Sequence, residues 1–159
     1  MKKIFQIIVL AIGFFHLSLG AYEINKEQYL FATLEHPQYL ALWNSLFENE
    51  ENVDDWLRGY ANSGDGPSGP GENVVIDGRE YLIRNVCKTH DCGDNYFLVA
   101  FASDGTEALG LLKRIKYIRD FDFNQNKFVR KRVRENRFFG SNLDPSSNVK
   151  LKDYLLKSR

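Results

Sequence analysis

Val74-Val75-Ile76-Asp77-Gly78-Arg79-Glu80-Tyr81-Leu82-Ile83 is the stretch whose reading decides the fold. Two apolar, β-branched runs flank Asp-Gly, the dipeptide favoured in a two-residue hairpin turn because both central positions need positive φ. The device recurs at Asp104-Gly105, which separates Tyr96-Phe97-Leu98-Val99-Ala100-Phe101 from Ala108-Leu109-Gly110-Leu111-Leu112. Four antiparallel strands in a meander follow. Further out, Asn124-Gln125-Asn126 marks a turn before a fifth strand over Lys127 to Val133, and Val149, Leu151, Tyr154 and Leu155 line a closing helix. On the other side, glycine and proline dominate residues 63–71, which rules out a helix or central strand and predicts a loop joining a helical front to the sheet. Before it, Pro37 opens a helix whose Leu40, Trp43, Leu46 and Phe47 recur at spacings of three and four. Tyr29, Leu30 and Leu34 suggest a shorter helix, and Trp56, Leu57 and Tyr60 a short turn after the acidic stretch Glu48 to Asp55. Helices before and after a run of hairpins give an α+β fold: an antiparallel sheet of about five strands with helices packed against it, in a single domain.

The N-terminus predicts the compartment. Lys2 and Lys3 precede a run from Ile4 to Phe15 that is apolar except for Gln6, and Ser18 and Gly20 place small residues before a cut at Ala21. That is the pattern of a secretory signal over residues 1–20, leaving a domain over 21–159. The apolar run is short of the roughly 20 residues that a spanning helix needs. No cysteine follows the cut to carry a lipid, so the mature chain is expected in the periplasm or secreted, with no membrane contact after signal cleavage. Charge is divided along the chain. Residues 21–80 carry 12 acids against Lys26, Arg58 and Arg79, a net of −9, while residues 81–159 carry 9 acids and 16 bases, a net of +7. The two halves either steer partners of opposite charge or neutralise each other in the fold. Arg130 to Arg137 is strongly basic. In an exported chain it reads as an edge strand protected by charge rather than as a nucleic-acid patch.

Cys87 and Cys92 bracket the tip of the connection between the second and third strands. In an oxidising compartment they should join each other, closing a ring that holds Lys88, Thr89, His90 and Asp91 outward. Such a ring contributes roughly 2 kcal/mol by loop-closure entropy, so its value lies more in shape than in global stability. Gly93 eases the chain back into the sheet. A thiol oxidoreductase would need two intervening residues and a thiol at a helix N-terminus. A zinc site on Cys87, His90 and Cys92 would crowd three ligands into one loop with no fourth in evidence. A hydrolase built on His90 and Asp91 lacks a nucleophile. No enzyme activity and no cofactor are expected. On the residues alone, a structural staple with a bystander histidine and a protruding inhibitory loop stay level.

The run Val86-Cys87-Lys88-Thr89-His90-Asp91-Cys92-Gly93-Asp94-Asn95 resembles the signature of the inhibitor of vertebrate lysozyme family, Ivy. Trp56-Leu57, Asp77-Gly78 with Tyr81, Gly110-Leu111-Leu112 and Phe139-Gly140 fall in the family's order. Residues 114–137 match poorly, and Thr89 stands where the family loop usually has proline, losing a φ constraint at the tip. The resemblance implies that the loop enters the active-site cleft of a c-type lysozyme. There His90 meets the two catalytic carboxylates, Asp91 supports the loop, and Lys88 and Thr89 form its rim. Retaining glycosidases hold those carboxyls about 5 to 5.5 Å apart, and an imidazole has two ring nitrogens to offer them. The implied partner is c-type lysozyme, whose usual basicity suits the acidic half of this chain; a homodimer stays open. The alternative is a non-inhibitory periplasmic binding or chaperone-like module that uses the same loop for another partner.

Overall fold

The computed structural model describes residues 28–140 and 145–158, so the expected signal over residues 1–20 and its expected cut lie outside the described residues. In chain order these are α1 (Leu30–Thr33), α2 (Pro37–Ser45), α3 (Asp55–Ser63), β1 (Glu72–Ile76), β2 (Arg79–Cys87), β3 (Asn95–Ala102), β4 (Ala108–Asp122), β5 (Lys127–Phe139) and α4 (Pro145–Lys157). The strands form one antiparallel sheet in the order β1-β2-β3-β4-β5.

β3 explains the layering. Its residues from Phe97 to Ala102 are all buried, which requires cover on both faces. Phe97, Val99 and Phe101 share a buried cluster with Leu30, Tyr39, Trp43, Phe47, Leu57 and Tyr60 from the helical front. Leu98, Ala100 and Ala102 share another with Leu109, Leu111 and the α4 residues Leu151 and Leu155. Period-two alternation of the strand thus sends its side chains to two separate cores. The larger core is an aromatic stack in which Trp43 meets Phe47, Tyr60 and Phe97 at centroid distances of 5.3, 5.8 and 5.5 Å. Fully burying a side chain of this kind stabilises the fold by about 1.5–3 kcal/mol.

The Asp77-Gly78 turn has φ of 52° and 79°, the double positive φ of a type I′ hairpin, and it fixes the pairing Ile76↔Arg79. At Asp104-Gly105 only the glycine is left-handed, at 71°. The connection there is longer, closed by Gly105 N–H to the Ala102 carbonyl at 2.9 Å and Ala102 N–H to the Glu107 carbonyl at 3.0 Å.

Three expectations need correction. Residues after the acidic stretch form a nine-residue helix rather than a short turn, because Leu57 and Tyr60 are a full turn apart and both enter the aromatic core. β4 and β5 run well beyond Leu112 and Val133, as a two-stranded ribbon out to the pair Asp122↔Lys127. Val149 does not line α4's inner face; it is exposed, and Leu151 and Leu155, one turn apart, do that work with half-buried Tyr154 packed against the same core.

The glycine-proline loop does more than connect. β1 pairs with β2 only as far as Ile83, and the loop covers the rest of that edge. Cys87 N–H donates to the Pro67 carbonyl (3.0 Å), Ser68 Oγ–H to the Asn85 carbonyl (2.8 Å), and Gly69 N–H to Asn85 Oδ1 (2.9 Å). A Cβ at Gly66 would lie 2.7 Å from the Cys87 carbonyl oxygen, so only glycine lets the backbone approach this closely.

Candidate functional site: a stapled turn at the end of the sheet

Cys87 is the last residue of β2, buried, and joined by a disulfide to exposed Cys92 across a Cα separation of 4.8 Å. Both sulfurs are taken up by this bond, so neither is a free thiol here, as the staple reading expects. Among the described residues no three His, Cys, Asp or Glu side chains gather to hold a metal.

The ring is internally bonded. Lys88 N–H donates to the Asn95 carbonyl at 3.1 Å, continuing the β2–β3 ladder one step beyond Cys87↔Tyr96. Asp91 N–H donates to the Lys88 carbonyl at 2.9 Å, which closes a four-residue turn with Thr89 and His90 at its corners. His90 has φ of 62°, and Thr89 is not among the positive-φ residues. A single positive φ at the third position is the signature of a type II turn. Non-glycine residues rarely adopt it, and where they do the surrounding structure must hold them there. Here the staple and the flanking ladder supply that hold, and the His90 side chain stands exposed at the turn's corner.

Asp91 faces the other way. Its carboxylate accepts from Asn95 Nδ2 at 2.6 Å and lies 4.0 Å from Lys88 Nζ, while its backbone carbonyl accepts from Asn95 N–H at 2.9 Å. Beyond the ring, Ile115 N–H donates to the Asp94 carbonyl at 2.8 Å, tying the loop's exit to β4. Beside its entry lies an open groove of about 530 Å³ lined by Asp54, Asp55, Trp56, Lys88, Arg114 and Lys116. Trp56 is half-buried: it packs against the aromatic core and also forms one wall of the groove.

The charge division partly cancels in space. Arg114 pairs with Asp54, Lys150 with Asp77, and Arg137 with Glu50 at 2.8 Å, each joining the basic half to the acidic half. Arg137 also donates to the carbonyls of Glu51 (2.7 Å) and Asn52 (3.1 Å), and Arg58 to those of Phe47 (3.1 Å) and Glu50 (3.0 Å). The acidic stretch is therefore a bound loop. Asp55 remains without an ion-pair partner among the described residues, at the groove beside Lys88.

The family model for the inhibitor of vertebrate lysozyme, Ivy, matches residues 38–130. The chain belongs to the Ivy family. That span takes in α2, α3, the stapled turn and the first part of the ribbon, and it leaves Phe139-Gly140 outside. A Pseudomonas aeruginosa protein named inhibitor of vertebrate lysozyme is 37% identical over 89 residues, covering 56% of each chain. An uncharacterised Yersinia pestis protein is 36% identical over 78 residues, 49% of this chain and 48% of its own. A second P. aeruginosa protein, also uncharacterised, is 30% identical over 96 residues, 60% of this chain and 56% of its own. The chain thus spans about half the length of the curated relatives it matches.

The spacing of Cys87 and Cys92 puts Lys88, Thr89, His90 and Asp91 in one ring, which the disulfide closes, but it does not reveal the ring's supports, Asn95 and Pro67. For Asn95 the sequence does carry a signal, since Asp and Asn side chains favour local hydrogen bonds in turns. Pro67 contributes only a backbone carbonyl from a distant segment, which no local pattern announces.

Proposed function

We propose that this chain is an exported, non-enzymatic inhibitor of c-type lysozyme that acts through residues 87–92. The observation that carries the proposal is the left-handed His90 at the exposed corner of a stapled turn, in a chain of the Ivy family. The turn enters the cleft as a competitive plug: the His90 imidazole donates to or accepts from the two catalytic carboxylates, and no covalent bond is made. Asp91, already held by Asn95, orders the loop rather than touching the enzyme. Lys88 and Thr89 contact the rim of the cleft, and Asp55 and Trp56 lie where a basic rim would meet them. Pre-ordering of the ring lowers the entropy cost of insertion. Export through residues 1–20 delivers the domain over 21–159 to the periplasm or beyond it, where the staple forms and a cell-wall hydrolase is met.

The test is lysis of cell-wall substrate by a c-type lysozyme with increasing inhibitor, together with direct binding of the inhibitor to lysozyme measured with and without a chito-oligosaccharide in the cleft. Loss of lysis, with binding that the oligosaccharide weakens competitively, is the expected result. Absence of inhibition at micromolar excess would sink the proposal, and binding unaffected by the oligosaccharide would move the contact away from the cleft. Detection of the mature chain in the cytoplasm alone would refute export.

A further inference from the structure

β3 begins at Asn95, opposite Arg114, so beyond Arg114↔Glu135 the β4–β5 ribbon continues without a third strand to Asp122↔Lys127. Directly opposed residues share a face. One face carries the pairs Ile115/Arg134, Tyr117/Arg132, Arg119/Arg130 and Phe121/Phe128. It has four arginines and no carboxylate. The other face is mixed and self-paired, with Lys116 bridging Glu135 at 2.5 Å and Lys131 bridging Asp120 at 3.3 Å. Lys116 beside Glu135 holds that carboxyl below its usual range.

On the cationic face, Arg132 approaches Asp94 at 3.5 Å, while Arg119, Arg130 and Arg134 have no carboxylate partner among the described residues. Arg119 stands directly across from Arg130, a like-charge pair that weakens the ribbon and that an anion would relieve. At the far end Phe121 meets Phe123 and Phe128 edge-on, at 5.1 and 5.2 Å. Phe123 is 86% exposed and Phe128 60%. A protruding arm thus ends in an apolar wedge with arginines directly behind it.

We propose that this face docks on an anionic lipid surface, with Phe123 and Phe128 entering the headgroup layer and Arg119, Arg130, Arg132 and Arg134 holding lipid phosphates. Charge complementarity selects the occupant. A second copy would set arginine against arginine. A nucleic acid would need a row of free ring faces for stacking, whereas Arg130 covers Tyr117 at 4.0 Å and Arg119 covers Phe128 at 4.6 Å, which leaves Phe123 as the one open ring of these three. The inference replaces the expectation of no membrane contact, which weighed only a spanning helix and a lipid anchor. It goes beyond lysozyme inhibition and does not depend on it.

Vesicle flotation with the purified chain tests it, using phosphatidylglycerol mixed with phosphatidylcholine against phosphatidylcholine alone. The chain should float only with the anionic vesicles, and each of Arg119→Ser, Arg130→Ser and Arg134→Ser should weaken partitioning about fivefold. Phe123→Ser should leave a weaker binding that moderate salt abolishes. Arg134 has no side-chain partner in the described residues, so its replacement reads binding without disturbing the fold. No flotation of the wild type, or equal flotation of wild type and all four variants, would overturn the proposal. Displacement by inorganic phosphate at millimolar level would reduce the site to free phosphate. Displacement by a single-stranded oligonucleotide that Phe123→Ser leaves unchanged would reassign it to nucleic acid. Lysozyme inhibition measured on the same samples should be unaltered, so the two readings fail separately.

Discussion

Replacing Thr89 with proline should stabilise the chain and, on the proposed function, tighten its binding to lysozyme. Thr89 occupies the second position of the turn closed by Asp91 N–H to the Lys88 carbonyl, the position that proline favours in a type II turn. Two conditions for a harmless proline are met. The Thr89 amide makes no hydrogen bond, so no donor is lost. Lys88 continues the β2–β3 ladder through its bond to Asn95, the extended setting that a following proline prefers. With neither bond nor geometry sacrificed, the gain is the entropy removed from the unfolded chain, about 0.4–1 kcal/mol. For a domain of this size that raises Tm by roughly 1–5 °C. If the ring is partly mobile before it binds, the same restriction appears in Kd as a two- to fivefold tightening, expressed mostly in the dissociation rate. Thermal unfolding and surface-bound lysozyme kinetics read the two effects. A loss of more than about 1 kcal/mol in stability would mean that Thr89 does not have the φ a proline needs, and the type II assignment would fall with it. A stabilised variant with weaker binding would show that the turn must change shape in the cleft.

Three further outcomes are expected. His90→Gly should relieve the left-handed backbone and raise stability by up to about 1 kcal/mol while weakening inhibition at least tenfold, and His90→Ala, which keeps the Cβ and so the same backbone cost, should show the same loss of inhibition with stability within about 0.5 kcal/mol of wild type; a glycine variant that inhibits like wild type would refute the imidazole's role. Tyr81 is pushed up to about 12 by burial and by its bond to Glu107, so its contribution is whole below the unfolded value near pH 10 and fades as pH rises toward 12, by up to about 2 kcal/mol. Denaturant titrations of wild type and Tyr81→Phe should therefore converge at alkaline pH, and parallel curves would contradict this. Gly110→Ala should destabilise by about 1–3 kcal/mol, because a Cβ there lies 2.4 Å from Phe97 Cζ in the aromatic core; unchanged urea unfolding would mean that the ring has room to move.

The local grammar of this chain was readable without coordinates. Asp77-Gly78 set a type I′ turn, since few other dipeptides accept two positive φ angles in succession, and it carried the register of β1 and β2 with it. Pro37 set the start of α2. Cys87 and Cys92, five residues apart across a strand connection, had little choice but each other once oxidised. The matched family span then gave the ring its expected purpose.

Tertiary structure decided what lies far apart in sequence. Residues 63–71 carry no strand signal, yet their carbonyls and amides complete β2's open edge and buttress Cys87; backbone groups pair wherever an unpaired edge comes within reach, regardless of side-chain pattern. The length of β4 and β5 was hidden because an exposed two-stranded ribbon has no buried face to impose alternation, so charge and aromatics mix along it. The acidic half also looked freer than it is, since Arg114, Arg137 and Lys150 return from distant strands and the last helix to meet it. By itself, then, the sequence determined the Asp77-Gly78 turn, the staple and the identity of the exposed tip. Only packing decided that His90 sits left-handed on a braced loop, because the forces that hold it there come from Pro67, Asn95 and the disulfide together.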